Sequence, residues 1–164
     1  MNWKFGDNIN TDLITPGRHN ITTDPKELAK ACFIEYRPEF HEKVKPGDFV
    51  VAGENFGCGS SRETAPVSLK YSQIRAVIAK SYARIFFRNA INLGLLCVIA
   101  DTDSIDEQDE LEFDVASQTL LNKTKGQEIN VQIPSMMLRL YQEGGIIPYL
   151  KSHGLGALAD LEKF

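Results

Sequence analysis

The chain has 164 residues, 43% of them hydrophobic and 24% charged, with a net charge of −4 and a sequence pI near 5.4. That length suits one domain with a sizeable core, and the acidic balance excludes nucleic acid or an anionic membrane as the main partner. Any anion bound here has to be held by a local cluster of donors, because the overall field repels it.

In chain order, "GDNINTDLITPGRHNITTD" (6–24) reads as a long ordered loop rich in Asn, Asp and Thr around Pro16-Gly17. Within it Asp12 suits an Asx turn or a binding role, and Arg18 a surface charge or an anion contact. "TTDPKELAKACF" predicts a helix with Asp24 as N-cap, Pro25 at the first helical position and Glu27 reaching back in a capping box. Leu28, Ala31 and Cys32 share one face of it. "KPGDFVVAGE" is a turn followed by a strand over 48–52, and a helix runs to about Tyr71 after the glycine-rich stretch that follows. "IRAVIA" (74–79) is a buried strand. "SYARIFFRNAINLG" is a helix with Ser81 as cap, Ile85, Phe86 and Ile91 among its apolar positions, and Gly94 as its stop. "LLCVIA" (95–100) is a further buried strand.

Strand, helix, strand, helix, strand over 48–100 is the pattern of a parallel sheet with crossovers. The acidic loop "DTDSIDEQDE" then precedes "LEFDV" and "EINVQI", which alternate like half-exposed antiparallel strands. Helices over 135–143 and 146–153 flank Gly144-Gly145, and 154–164 is a tail or an oligomer contact. The class is α/β, with residues 1–164 as one domain.

No run approaches the length of a membrane span, and "MNWKFGDNIN" lacks the basic region and apolar core of a signal peptide. Three cysteines, Cys32, Cys58 and Cys97, occur without any C-x-x-C, and no Cys/His group has ligand spacing. This argues for a reducing compartment, the cytoplasm, and against a metal site contained in this chain. His19, His41 and His153 are isolated and read as structural or exposed.

The stretch "ENFGCGSSRET" (54–64) concentrates the chemistry. It lacks the Gly-Lys-Ser/Thr of a phosphate loop, its glycine spacing does not fit G-x-G-x-x-G, and Arg62 stands where a nucleophile elbow has its last glycine. One reading is a glycine turn with Ser60 or Ser61 as helix cap and Glu63 completing a capping box, although Pro66 would then kink or delay the helix. The other is a carboxylate or phosphate cradle: the backbone of Gly57, Cys58 and Gly59, the hydroxyls of Ser60 and Ser61, and the Arg62 guanidinium. Cys58 lies inside this cradle as a small packed residue or a redox-sensitive one, and Cys97 reads as core.

"GDNINTD", "GENFGCGSSRETAP" and "AVIAKSYARIFFRNAINLGLL" resemble, in order and over nearly the whole chain, the small subunits of the 3-isopropylmalate dehydratase family, the detached swivel domain of the aconitase superfamily. The resemblance implies a single swivelling β/β/α domain of the aconitase C-terminal type, closing over a 4Fe-4S cluster carried by a separate large subunit. By motif position Ser60 resembles the catalytic base, Ser61 and Arg62 the ligands of a substrate carboxylate, and Asp12 an aspartate at the site edge. The family usually has histidine where this chain has Thr64, so no role of that histidine carries over.

The implied reaction is hydro-lyase chemistry on a 2-hydroxy dicarboxylate: removal of water and its return at the neighbouring carbon. The resemblance also places substrate choice in the loop Arg18, His19, Asn20, Ile21, Thr22. Homoaconitase and aconitase relatives carry an arginine at the position aligned with Ile21, whereas isopropylmalate enzymes resemble this chain in having an aliphatic residue there. His19 and Asn20 depart from the tyrosine–leucine pair common in that loop, so citramalate- or dimethylmalate-type substrates stay open beside isopropylmalate. A homoaconitase subunit, and a stand-alone anion-binding domain that has lost its partner, are the alternatives.

Overall fold

The computed structural model of the chain describes residues 1–161, without the side chain of Asp160. Its strands are β1 (Asn2–Lys4), β2 (Phe49–Ala52), β3 (Ala76–Ala79), β4 (Cys97–Ala100), β5 (Leu111–Asp114), β6 (Thr119–Asn122), β7 (Gln127–Ile129) and β8 (Val131–Gln132). The helices are α1 (Thr11–Ile14), α2 (Pro25–Lys30), α3 (Glu39–Lys43), α4 (Thr64–Tyr71), α5 (Arg84–Leu93), α6 (Ser135–Glu143), α7 (Ile146–His153) and α8 (Leu158–Leu161). One sheet has the order β1-β2-β3-β4-β8, with β1 to β4 parallel and β8 antiparallel at the edge. The other is an antiparallel sheet of β5, β6 and β7.

Every residue of β2 and β3 is buried, which is why these segments read as unbroken apolar runs. α4 packs against α1, α2 and α5, and α5 in turn against α6 and α7. Phe113, Leu120 and Ile129 of the small sheet join the same core as Trp3, Val50, Val77 and Val98. Among the described residues no helix is long and apolar enough to cross a membrane.

Several local expectations need correction. Asp24 does cap α2, accepting from Lys26 N at 2.9 Å, but Glu27 does not reach back, because Lys30 Nζ holds its carboxylate at 2.6 Å. Ser81 does not cap α5, which starts after Ala83; its hydroxyl accepts instead from Asn55 N at 2.8 Å. Ile85 is exposed on the outer face of α5, whereas Phe86 and Ala90 are buried. The segment "EINVQI" is divided between the two sheets, as β7 and β8, and β6 lies between it and β5 without having been anticipated. Gly94 and Gly144 end α5 and α6 in the left-handed conformation, as their positions suggested. The terminal segment is described as far as Leu161, where Ala157 and Leu161 bury against Leu140 and Tyr149; 162–164 lie outside the described residues.

The acidic loop covers the open edge of β1. Lys4 N donates to Glu107 Oε1 at 3.1 Å, Lys4 Nζ donates to Thr102 O and Ile105 O, and Asn2 Nδ2 donates to Asp106 O and Asp109 O. An exposed edge strand is a template for pairing with other chains, and this loop occupies it.

At the start of β2, buried Asp48 accepts from the N-terminal ammonium (2.8 Å), Lys45 N (2.9 Å) and Trp3 Nε1 (3.0 Å). Burial opposes its charge, but these donors outweigh burial and hold the carboxyl below the ordinary aspartate value. Asp48→Asn is expected to cost about 1–3 kcal/mol at neutral pH, read by urea unfolding through Trp3 fluorescence. Because the folded value is depressed, this contribution is complete above the unfolded aspartate value and is lost as pH falls through the folded one. The gap between wild type and variant should therefore shrink in acid. A gap that stays constant down to full protonation would show that the carboxylate charge contributes nothing.

Candidate active site

The two chain segments leaving β1 and β2 stay paired beyond the sheet. Gly53 N donates to Gly6 O (3.2 Å), Asn8 N to Glu54 O (2.8 Å), Gly57 N to Ile9 O (2.7 Å) and Thr11 N to Cys58 O (2.8 Å). On the other side Phe56 N donates to Ser81 O at 3.0 Å and Ala83 N to Phe56 O at 2.9 Å. Residues 54–58 thus extend the sheet past the carboxyl ends of its parallel strands, where open α/β sheets place their ligands. Gly57 has φ +78°, and a Cβ there would lie 2.2 Å from Phe86 Cγ, so only glycine lets the chain cross this ring.

After Gly59 the chain turns outward, leaving Ser60 and Ser61 exposed and Arg62 half-buried. Ser60 O accepts from Thr11 Oγ1 at 3.0 Å and from Arg62 N at 2.8 Å. Thr11 Oγ1 also lies 3.4 Å from Ser60 Oγ. Arg62 Nη1 pairs with the Asp12 carboxylate and lies 3.4 Å from Thr15 O, with the guanidinium spread over Gly17. The structure therefore brings Asp12, Ser60 and Arg62 together, and adds Thr11 and Gly17, which sequence reasoning missed. Neither carries a signal in the sequence beyond standing in the polar loop.

Neither serine caps α4. The helix starts at Thr64 after Glu63, with no side-chain cap. Pro66 is the reason: it falls in the first turn, where a missing N–H costs nothing, and an earlier start would push it into the helix interior. The Ser60 and Ser61 hydroxyls are left uncommitted to the helix as a consequence, Ser60 Oγ keeping its 3.4 Å contact with Thr11 Oγ1. Among the described residues the amides of Gly59, Ser60 and Ser61 have no partner, while that of Gly57 is committed to Ile9 and is not a cradle donor. Thr64 Oγ1, at the family's histidine position, is buried without a hydrogen-bond partner.

α1 is fastened to α4 by buried hydroxyls. Ser68 Oγ donates to Ala65 O at 2.8 Å, so Thr15 Oγ1, 2.9 Å away, donates to Ser68 Oγ. This bond fixes the helix that carries Asp12 against the helix that follows Arg62.

The loop residues form a separate group. Gly17–His19 is a 3-10 turn closed by Asn20 N onto Gly17 O at 3.1 Å. Arg18 pairs with Glu35, and His19 Nε2 lies 3.6 Å from the same carboxylate. Ile21 is 89% exposed, and Thr22 Oγ1 accepts from Asp24 N at the entry to α2. An open cleft of about 370 Å³ runs from Asp12 past Pro16 to Arg18 and Glu35, and another of about 270 Å³ lies between Ile21, Thr22 and Ile34.

Cys32 and Cys97 are wholly buried; burial pushes the Cys32 thiol up to about 12, against weaker opposition from Ser68 and Ser72, and the Cys97 thiol well up too. Cys58 is half-buried beside Gly59. Among the described residues no three His, Cys, Asp or Glu side chains meet as a metal site. Iodoacetamide on the folded chain should therefore add one carbamidomethyl group, at Cys58, and three only after denaturation, read by intact mass and peptide mapping. Equal labelling of Cys32 or Cys97 in the folded state would contradict their burial.

Residues 6–102, which include every site residue named above, match the aconitase C-terminal domain family. The chain is 56% identical over 154 residues to 3-isopropylmalate dehydratase small subunit 2 of Archaeoglobus fulgidus, covering 93% of each. It is 54% identical over 152 residues to the 3-isopropylmalate dehydratase small subunit of Thermodesulfovibrio yellowstonii, covering 91% of this chain and 90% of that one. It is also 49% identical over 153 residues to the methanogen homoaconitase small subunit of Methanocaldococcus jannaschii, covering 93% and 90%. A crystal structure of 3-isopropylmalate dehydratase from the same organism matches with a TM-score of 0.89 at 47% identity, over 97% of this chain and 96% of that one. With this much of its length shared in sequence and in fold, the chain belongs to the aconitase C-terminal domain family.

Proposed function

We propose that the chain is the small subunit of a 3-isopropylmalate dehydratase, a hydro-lyase that isomerises 2-isopropylmalate to 3-isopropylmalate in leucine biosynthesis. The observation that carries this reading is identity above one-half, along nine-tenths of the chain, with small subunits of that name. An exposed serine beside a guanidinium at the strand ends supports it chemically.

The proton to be removed lies beside a carboxylate and is a weak acid, and a serine hydroxyl is a poor base in water. The chain's own thiols do not fit an iron–sulfur cluster, because two of its three are buried and no ligand group forms among the described residues. A 4Fe-4S cluster on a large partner subunit would supply the Lewis acid that polarises the substrate's carboxylate and hydroxyl. This chain supplies the rest. Arg62, held through Nη1 by Asp12, offers its remaining N–H groups to a substrate carboxylate, and the Ser61 hydroxyl adds a donor. Ser60 Oγ takes the proton, its negative charge offset by Arg62 and by the unpartnered amides of Gly59–Ser61. Docking of the partner in the cytoplasm excludes water from this open face, so the chain is inactive alone.

The homoaconitase relative favours a second reading, a subunit acting on a tricarboxylate. Ile21 argues against it. Its side chain is 89% exposed, and covering it with an isopropyl group gains roughly 1.5–3 kcal/mol, whereas a third carboxylate there would be desolvated and unpaired.

The test is an anaerobic assay of the co-expressed heteromer on 2-isopropylmalate, homocitrate, citramalate and dimethylmalate. Turnover of isopropylmalate by the complex, and by neither subunit alone, is expected. Ser60→Ala should lower kcat by roughly 10²-fold or more, and Arg62→Lys should raise KM through loss of the paired N–H geometry. Turnover of homocitrate without isopropylmalate would establish the second reading. Carboxylate binding without any partner would point to a stand-alone anion-binding domain.

A further inference from the structure

We infer that Thr11 is a positioning residue that switches one hydrogen bond to follow the charge on Ser60, an inference that rests on the reading of Ser60 as the proton-abstracting group. Thr11 is 1% exposed, and its amide is tied to Cys58 O at 2.8 Å, so its side chain is held in place from the backbone outward. Its hydroxyl oxygen lies 3.0 Å from Ser60 O and 3.4 Å from Ser60 Oγ. A threonine hydroxyl has one proton and free lone pairs. With Ser60 protonated, that proton goes to Ser60 O and a lone pair faces the Ser60 hydroxyl.

With Ser60 ionised, the best acceptor within reach becomes Oγ. Rotation about the Thr11 Cβ–Oγ1 bond alone redirects the proton to it, without movement of a heavy atom. Ser60 O is not orphaned by the change, because Arg62 N still donates to it at 2.8 Å. When the C–H bond of the substrate breaks and its proton forms the O–H of Ser60, the Thr11 proton returns to the carbonyl. The reverse sequence accompanies delivery of that proton to the neighbouring carbon. A buried donor therefore accompanies the alkoxide through both halves of the reaction, on the side away from the exposed face where substrate would enter.

The experiment uses the reconstituted heteromer and four variants: Thr11→Val, Thr11→Ser, Ser60→Ala and the Thr11→Val/Ser60→Ala double. Thr11→Val should lower kcat about tenfold, the worth of one hydrogen bond to a charged group, with KM within about twofold of wild type. Thr11→Ser should restore kcat. In the Ser60→Ala background Thr11→Val should have no further effect, because the group it serves is gone. If Thr11→Val disturbs assembly, Thr11→Ala provides the same hydroxyl deletion without added bulk. An undiminished kcat, equal losses in the Ser and Val variants, or additive losses in the double variant would overturn the inference. A wild-type rate for Ser60→Ala would instead overturn the reading of Ser60 on which it rests.

Discussion

Four backbone hydrogen bonds hold residues 6–11 beside residues 53–58 after both have left the sheet, and the site exists because of them. Each segment alone is a polar loop with no structure of its own. Side by side they continue the parallel pairing of β1 with β2 beyond its last registered residues, Lys4 and Val51. The pairing ends where Thr11 meets Cys58, so the next residues of each segment, Asp12 on one side and Ser60 to Arg62 on the other, emerge at the same place. Gly57 permits it by letting the backbone cross Phe86, and Phe56 is locked on its other side to the continuation of β3. The entropy of bringing together groups 49 and 50 residues apart in sequence is thus met by the sheet. The site inherits its geometry without paying separately for it.

Electrostatics work locally in this chain because its net charge of −4 works against any anion. Arg62 and Arg18 are both neutralised in the free chain, by Asp12 and Glu35, and in each pair one partner is more than half exposed. Pairs of this kind contribute about 0–1 kcal/mol, so they orient a guanidinium without locking it. A substrate carboxylate arriving in a closed, dry site interacts far more strongly than the same group in water. Under the proposed function the Asp12 pair holds the Arg62 guanidinium in place through Nη1 and leaves its other N–H groups for the substrate carboxylate. The buried Thr15–Ser68 bond has the opposite character: it fastens α1 to α4 permanently, because breaking it strands a hydroxyl in the core.

Much of this was legible from the residues alone. β2, β3 and β4 are apolar runs between turn residues, and Gly94 and Gly144 mark helix ends with the one conformation glycine supplies at no steric cost. β1 was not legible, since "NWK" is too short to show a period and its burial comes from distant segments, Phe40 packing on Trp3 and the acidic loop bonding Asn2 and Lys4. β6, "TLLN", was obscured in the same way, and "EINVQI" reads as one strand because nothing local marks the change of sheet between Ile129 and Val131. Ser60, Ser61 and Arg62 stood out because hydroxyls and a guanidinium beside glycines have few structural uses. Thr11 did not, because a threonine beside an aspartate resembles any turn, and its meaning depends on a partner 49 residues away. Glu27 and Ser81 failed as caps for a related reason: Lys30 and the amide of Asn55 compete for the same atoms, and sequence patterns do not weigh competitors.

The C-terminal third lies outside the residues matched to the family and, among the described residues, contributes no group to the candidate site, yet it bears on the site through α4. Lys70 Nζ, near the far end of that helix, donates to Leu93 O and Gly144 O, the carbonyl ends of α5 and α6. Burial lowers the affinity of this amine for its proton, while the two helix C-termini favour its charge. α4 is thereby fixed at its end by the C-terminal helices, at its middle by Thr15, and just before its start by Thr11. Ser60 to Arg62 are carried by a segment with little freedom to drift. The loop from Arg18 to Thr22 is held at the surface instead, by exposed charge pairs, by the turn bonds from His19 N to Pro16 O and from Asn20 N to Gly17 O, and by the bond from Asp24 N to Thr22 Oγ1. Chemistry common to a family needs fixed atoms, and discrimination among its substrates needs a surface that can vary without disturbing them. Under the proposed function this chain separates the two, with the first on the extended sheet and the second just outside it.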